Sequence, residues 1–201
     1  KRILLRVDYN VPLLEDGDVA NNQRIIATLP TLRSILDRGG RAVLLSHLGR
    51  PKPGQESKFS LRPVARELSL ALGREVQFID QTVGPMAVAA TKALRDGEVL
   101  LLENVRFFAG EEAGDPEFAA QLAELGDAYV NDAFGTAHRA HASTAVIASS
   151  FKGRAAFGMV MANEIKNVDR VLASREKPAV AVVGGSKVSS KIVILERLLD
   201  R

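Results

Sequence analysis

Residues 129–144 read YVNDAFGTAHRAHAST, and how this stretch begins and ends decides the fold. Its first residues complete a short apolar run, 128–130, that breaks off at Asn131-Asp132. A loop dense in small, polar and cationic residues follows, with His138, Arg139 and His141 inside it. A buried strand opening into such a loop is how a ligand site is built at the carboxyl edge of a parallel sheet.

The same pattern recurs along the chain. The run 3–7 ends at Asp8-Tyr9-Asn10, the run 42–45 opens into Ser46-His47-Leu48-Gly49-Arg50-Pro51, and the run 99–102 opens into Glu103-Asn104-Val105-Arg106. A further strand, 76–79, ends at Asp80-Gln81-Thr82 with no cation, and is expected at a sheet edge. Helical periodicity fills the gaps. Ile25, Ile26, Leu29, Leu32, Ile35 and Leu36 mark a helix over 23–38, with Pro30 a kink or a late start. Further helices are expected over 61–72, with Ser60 as cap, over 85–94, and over 116–125 behind Asp115. Strict β-α alternation with continuously apolar strands predicts an α/β fold: a parallel, Rossmann-like sheet covered by helices on both faces.

Beyond 151–153 the pattern changes. A helix is expected over 157–175, then a very apolar strand, 179–183, then Gly184-Gly185-Ser186-Lys187 and a helix to Leu199. One strand and one helix cannot bury a core. The reading is an α/β domain over 1–156, a linker helix and hinge over 157–177, and the incomplete start of a second α/β domain over 178–201.

Composition narrows the function. The chain has 201 residues, 46% hydrophobic and 25% charged, ordinary for a domain with a real core. A net charge of +3, no long Lys/Arg run and 5% aromatics without Trp argue against nucleic acid as partner. Cysteine is absent, which removes disulfides and thiolate chemistry. No apolar run approaches the roughly 20 residues of a membrane span. Lys1-Arg2 leads straight into the first strand, so the start is expected to be trimmed and the compartment cytoplasmic.

Strand-end loops converge in a parallel sheet, so Arg50, Arg106 and Arg139 should meet, with Arg24 joining if the first loop folds back. Guanidinium forks match phosphate and carboxylate oxygens. The implied ligand is small and multiply anionic, such as a phosphorylated carboxylic acid. Asp8 and Asn10 suit a sugar-like hydroxyl and the orienting of arginines. His47 reads as facing the ligand, His141 as holding its loop, and His138 as open to either. Histidines flanked by arginines make a poor cation site, so no metal is expected on them. Gly184-Gly185-Ser186-Lys187 fits either a phosphate seat or a plain tight turn, with Lys187 and Lys191 one helical turn apart. No Ser-His-Asp or paired-carboxylate arrangement stands out, and phosphoryl transfer to a carboxylate needs neither.

RVDYNVP (6–12), NNQRI (21–25), SHLGRP (46–51), LLENVRF (101–107), YVNDAFGTAHRAH (129–141) and VVGGSKVSSK (182–191) together resemble phosphoglycerate kinase, in the family's order and over essentially the whole chain. The resemblance implies a two-domain monomer moving phosphate between 1,3-bisphosphoglycerate and ADP with Mg2+, in glycolysis or carbon fixation. By motif, it implies a phosphoglycerate site at Asp8, Asn10, Arg24, His47, Leu48, Gly49, Arg50, Arg106 and Arg139. His47, Arg50, Arg106 and Arg139 would hold the non-transferred phosphate, and Arg24 would help neutralise the group in flight. Gly184, Gly185, Ser186, Lys187 and Lys191 would serve the nucleotide, with Lys187 and Lys191 near the transferred phosphate. Phe108 stands where the family often has His, and Ser186 and Ser189-Ser190 replace commoner residues around the lysines. The family's later glycine-rich nucleotide loops and its magnesium-holding acid are not in this chain, so the fragment is expected to bind 3-phosphoglycerate without turnover. A non-catalytic anion-binding module of the same fold is the alternative. A dinucleotide oxidoreductase is disfavoured, since the first strand lacks the glycine fingerprint.

Overall fold

The computed structural model describes residues 1–52, 54, 56–173, 180 and 182. The chain divides into two compact units, Lys1–Val168 and Asp169–Arg201. The expected turn at 184–187, the helix after it, and most of the strand over 179–183 lie outside the described residues.

Six strands form one all-parallel sheet: β1 (Arg2–Arg6), β2 (Arg41–Leu45), β3 (Val76–Phe78), β4 (Val99–Leu101), β5 (Ala128–Asn131) and β6 (Ala155–Phe157). Their order is β3-β4-β2-β1-β5-β6, which puts β3 at an edge, as the cation-free loop behind it suggested. The helices are α1 (Gln23–Leu36), α2 (Arg62–Leu72), α3 (Pro85–Ala93), α4 (Ala109–Ala113), α5 (Pro116–Ala123) and α6 (Met159–Ala173).

Successive strand residues point to opposite faces, and the core divides accordingly. Leu5, Leu44 and Leu101 pack with Ile25, Leu29 and Leu32 of α1 and Val64 and Leu68 of α2. Leu4, Val43, Leu45 and Leu100 pack on the other face with Ala87 of α3, Phe118 and Leu122 of α5, and Ile147 and Phe151 of a 3-10 turn, Val146–Phe151. Both faces are buried, which is why β1, β2 and β4 are apolar without alternation. From β1 to β3 the chain steps toward one edge along α1 and α2. From β3 to β5 it steps back along α3 and α5 on the opposite face, as right-handed crossovers require. The loops leaving β1 and β2 therefore diverge from those leaving β4 and β5. Strand ends separate at two boundaries, β4/β2 and β1/β5, and a crevice at the carboxyl ends belongs there.

The structure departs from the sequence expectation at a few elements. Strand β6 was not anticipated. Its three residues are exposed, so no buried face signalled it, and only pairing with Tyr129, Val130 and Asn131 of β5 reveals it. Helix α1 runs through Pro30, without a late start, because Pro30 lies on the exposed face, where water can serve the carbonyl that loses its donor. Ser60 caps α2 as expected, its hydroxyl accepting from Arg62 N at 3.2 Å, but it shares the work with Glu103, at the end of β4, which accepts from Leu61 N at 2.8 Å and from the Ser60 hydroxyl at 2.7 Å. Asp115 does cap α5, accepting from Glu117 N at 2.9 Å. The stretch expected as helix over 157–175 is α6. Its first-turn amides are held from elsewhere in the fold: Met161 N donates to Asp132 Oδ1 at 3.1 Å, and Met159 N to Thr31 Oγ1 at 2.8 Å.

Candidate functional site

The loop after β1 folds back as expected, closed by an antiparallel bridge between Leu13 and Val19 and by Ala20 N donating to Pro12 O at 2.9 Å. This return carries Arg24, in the first turn of α1, to Asp8, with which it forms an ion pair. Asn10 links this loop to the next one, its Oδ1 accepting from Gly49 N at 2.8 Å.

Leu48 and Gly49 are clamped through their backbone. Asn104 Nδ2 donates to Leu48 O at 2.8 Å, and Arg106 Nη1 donates to Gly49 O at 2.7 Å. The Leu48 side chain belongs to the core, so this residue reaches the site only as main chain. Gly49 has φ +62°, and a Cβ there would lie 2.4 Å from the Phe59 ring. Both the left-handed backbone and the close approach require glycine. The loops after β1, β2 and β4 are thus one hydrogen-bonded block.

The loop after β5 is tied to that block from beneath. Tyr129 donates its hydroxyl to Ser143 O at 2.8 Å. Ser143 N and Oγ both donate to Glu111 of α4, at 2.9 and 2.6 Å. Ser143 Oγ accepts in turn from Arg6 Nε at 2.8 Å. Arg6 is 1% exposed; it also donates to Val7 O, and its Nη2 lies 3.1 Å from His47 Nδ1. Above this network the loop passes Asp8 closely: a Cβ on Gly135 would come within 2.8 Å of Asp8 Oδ2. Arg139 is half-buried, with its carbonyl accepting from the Thr144 hydroxyl at 2.9 Å.

The electrostatics are those of a cationic cluster. Burial, with the charges of Arg6, Arg106, Arg24 and Arg139, pushes the pKa of His47 down to about 2. Its ring is neutral at any physiological pH. Arg106 is buried and its pKa is also lowered, first by burial and then by Arg139 and Arg6, against the opposing pull of Glu112. Glu112 is its ion-pair partner at 3.1 Å, on the exposed side. His141 Nδ1 lies 3.8 Å from Glu111 Oε1, too far for a hydrogen bond, and burial lowers its pKa too. His141 is buried beside Glu111 with no hydrogen bond to its Nδ1 among the described residues, while His138 is exposed.

The structure therefore brings together Asp8, Asn10, Arg24, His47, Gly49, Arg106 and Arg139. Arg50 lies exposed in the same loop as His47 and has no ion pair among the described residues. Gly184, Gly185, Ser186, Lys187 and Lys191 lie outside the described residues. Sequence reasoning passed over Arg6, Glu111 and Ser143. One signal was available for Arg6: a guanidinium inside an otherwise apolar strand must find acceptors in the interior. No local pattern announces Ser143 or Glu111: the Ser143 hydroxyl finds Glu111 and Arg6 at separations of 32 and 137 residues.

Among the described residues no three His, Asp or Glu gather to hold a metal ion. A cluster of arginines with its carboxylates already paired does not fit a divalent cation. It fits an anion with several oxygens, approached by guanidinium forks and a neutral imidazole.

Fold and cluster together define a class: a doubly wound α/β domain with a cationic site at the carboxyl ends of its four central strands. Comparison with known proteins narrows this. The family model for phosphoglycerate kinase matches residues 1–201. The phosphoglycerate kinases of Moorella thermoacetica and Desulforudis audaxviator are 53% and 51% identical over all of this chain, which covers 50% and 51% of them. The solved structure of phosphoglycerate kinase from Coxiella burnetii superposes with a TM-score of 0.86 at 45% identity, and that from Pyrococcus horikoshii with 0.88 at 34%; each is matched over 100% of this chain and 50% of its own. This chain belongs to the phosphoglycerate kinase family, and it spans about half the length of the relatives it matches.

Proposed function

We propose that this chain is the phosphoglycerate-binding half of a phosphotransferase that moves phosphate between 1,3-bisphosphoglycerate and ADP, in glycolysis or carbon fixation. The observation that carries this reading is the meeting of Arg24, Arg106 and Arg139 around a neutral His47, on loops bound to one another by Asn10, Asn104 and Arg106. Arginines held this close repel one another unless an anion lies between them. In the proposed complex His47, Arg50, Arg106 and Arg139 hold the phosphate that stays. Asp8 and Asn10 receive the hydroxyl, and Arg24 swings from Asp8 toward the carboxylate end. That acceptor is already ionised, so the work left to the protein is alignment and charge neutralisation.

Gly184, Gly185, Ser186, Lys187 and Lys191 are assigned to the nucleotide phosphates. Mg2+ would enter with ATP or ADP and screen their charge; the described residues offer it no seat. The whole enzyme is read as a cytoplasmic monomer. No helix among the described residues is long and apolar enough to cross a membrane.

Calorimetry on the 201-residue chain tests the binding half. 3-Phosphoglycerate should give a saturable signal at low salt, and Arg139→Ala should weaken it more than tenfold, since a charge-assisted contact is worth about 1.5–3 kcal/mol. The chain alone should not turn over ATP. Absence of heat would remove the binding assignment; an unchanged dissociation constant in Arg139→Ala would remove that residue from it.

A further inference from the structure

We infer that Arg6 is a positioning residue: by donating to His47 Nδ1 from within the core, it fixes the imidazole as the Nε2–H tautomer, so that the ring presents a neutral donor to the bound anion. The inference rests on the reading of His47 as a phosphate ligand.

Arg6 cannot itself be a ligand. It is 1% exposed, and its nitrogens are committed to the Ser143 hydroxyl, to Val7 O and to His47. A guanidinium only donates, so the His47 nitrogen facing it at 3.1 Å must accept. In a neutral imidazole that leaves the proton on Nε2. A second feature prevents the arrangement from reversing. Rotating Arg6 away would strand a charge in the interior, and its Nε is anchored through Ser143 Oγ, which is itself held at 2.6 Å by Glu111. The chain Glu111–Ser143–Arg6–His47 thus runs from α4, under the loop after β5, to the loop after β2.

The tautomer matters for an anion site. A protonated imidazole here would face Arg6, Arg24, Arg106 and Arg139 with no compensating carboxylate in contact. The opposite tautomer would turn an acceptor lone pair on an incoming phosphate oxygen. Only the Nε2–H form avoids both penalties, and Arg6 is the side chain that selects it.

The test is long-range nitrogen–proton correlation NMR of the His47 ring in the unliganded 201-residue chain, in the parent, in Arg6→Gln and in Arg6→Lys. The parent should show only the Nε2–H pattern and no titration over roughly pH 5 to 8. In Arg6→Gln the second tautomer or a titrating ring should emerge, and 3-phosphoglycerate should bind about three- to tenfold more weakly, what one net hydrogen bond is worth. Arg6→Lys keeps the charge but loses the fork, and should shift the ring in the same direction by less. It also serves if the glutamine variant does not fold. An Nδ1–H or titrating His47 in the parent overturns the inference, as does an unchanged ring spectrum in a folded Arg6 variant. The spectra contain no ligand. An Nε2–H ring beside a failed calorimetric titration therefore counts against the phosphoglycerate reading alone.

Discussion

Holding His47 neutral against Arg6 carries a cost that grows in acid. In the folded chain the ring stays unprotonated down to about pH 2, whereas the unfolded chain takes up the proton near 6.5. Below 6.5 the unfolded state binds more protons than the folded one, so stability falls with falling pH across that window. The slope from this one residue is at most about 1.4 kcal/mol per pH unit. His141, also shifted down by burial, acts in the same direction. Urea unfolding at about pH 7.5 and about pH 5.5 brackets the histidine range while leaving most carboxylates ionised. The expected loss is about 1–2 kcal/mol on acidification, and His47→Gln should remove much of it. An equal loss in that variant would assign the pH dependence elsewhere. At this scale the sequence was informative about surface-facing chemistry and silent about its support. Arg106 and Arg139 were legible because loops leaving the carboxyl ends of parallel strands converge, and each carries a cation there. Glu111 was not, because a buried carboxylate on a short helix looks like any exposed one until Ser143 is placed beside it.

Among the elements, the least local decision is where α2 begins. A sequence reading finds Ser60 at the right offset and stops there. In the fold, the Glu103 carboxylate, 4% exposed, accepts from the Ser60 hydroxyl, Leu61 N and Asn104 N at 2.7, 2.8 and 2.8 Å. It therefore caps α2 and sets the turn that aims Asn104 at the Leu48 carbonyl. Glu103→Ala should cost about 2 kcal/mol, a cap plus an abandoned buried donor. It should also speed amide exchange at the start of α2. Glu103→Gln, keeping shape and one acceptor, should cost less. Exchange rates unchanged by the alanine variant would show that the Ser60 hydroxyl suffices. Helix α6 is anchored by similar means, with Asp132 at its first turn complementing the helix dipole. The loop with Arg139 leaves β5 at that same aspartate, so the cationic cluster and the start of α6 share one support.

On the scale of the whole molecule, the proposed anion site makes the arginine cluster both the means of binding and a source of repulsion in the unliganded fold. Filling the site should stabilise the chain by linkage, by about 2.7 kcal/mol at a ligand concentration one hundred times the dissociation constant. Because the attraction is electrostatic and the cluster partly exposed, affinity for 3-phosphoglycerate should fall steadily from about 0.05 M to about 0.5 M salt. Thermal unfolding with and without the ligand, repeated across salt, measures both. A ligand-induced shift indifferent to salt would mean that contacts other than charge dominate.

Local pattern was enough for the class of fold, for the strands β1 to β5, and for which loops carry cations. Those features depend on periodicity and on the residues next along the chain, which a linear reading sees. It missed β6, whose exposed residues have no periodicity and whose existence depends on pairing with β5. It missed the Glu103 cap and the chain from Glu111 through Ser143 and Arg6 to His47. Arg6 and Ser143 are 137 residues apart, and Ser60 and Glu103 are 43 apart. Such bonds form only after the sheet order has put β1 between β2 and β5, and β4 beside β2. The stretch 129–144 announced the fold by ending a strand in a cationic loop, but packing decided what that loop stands on.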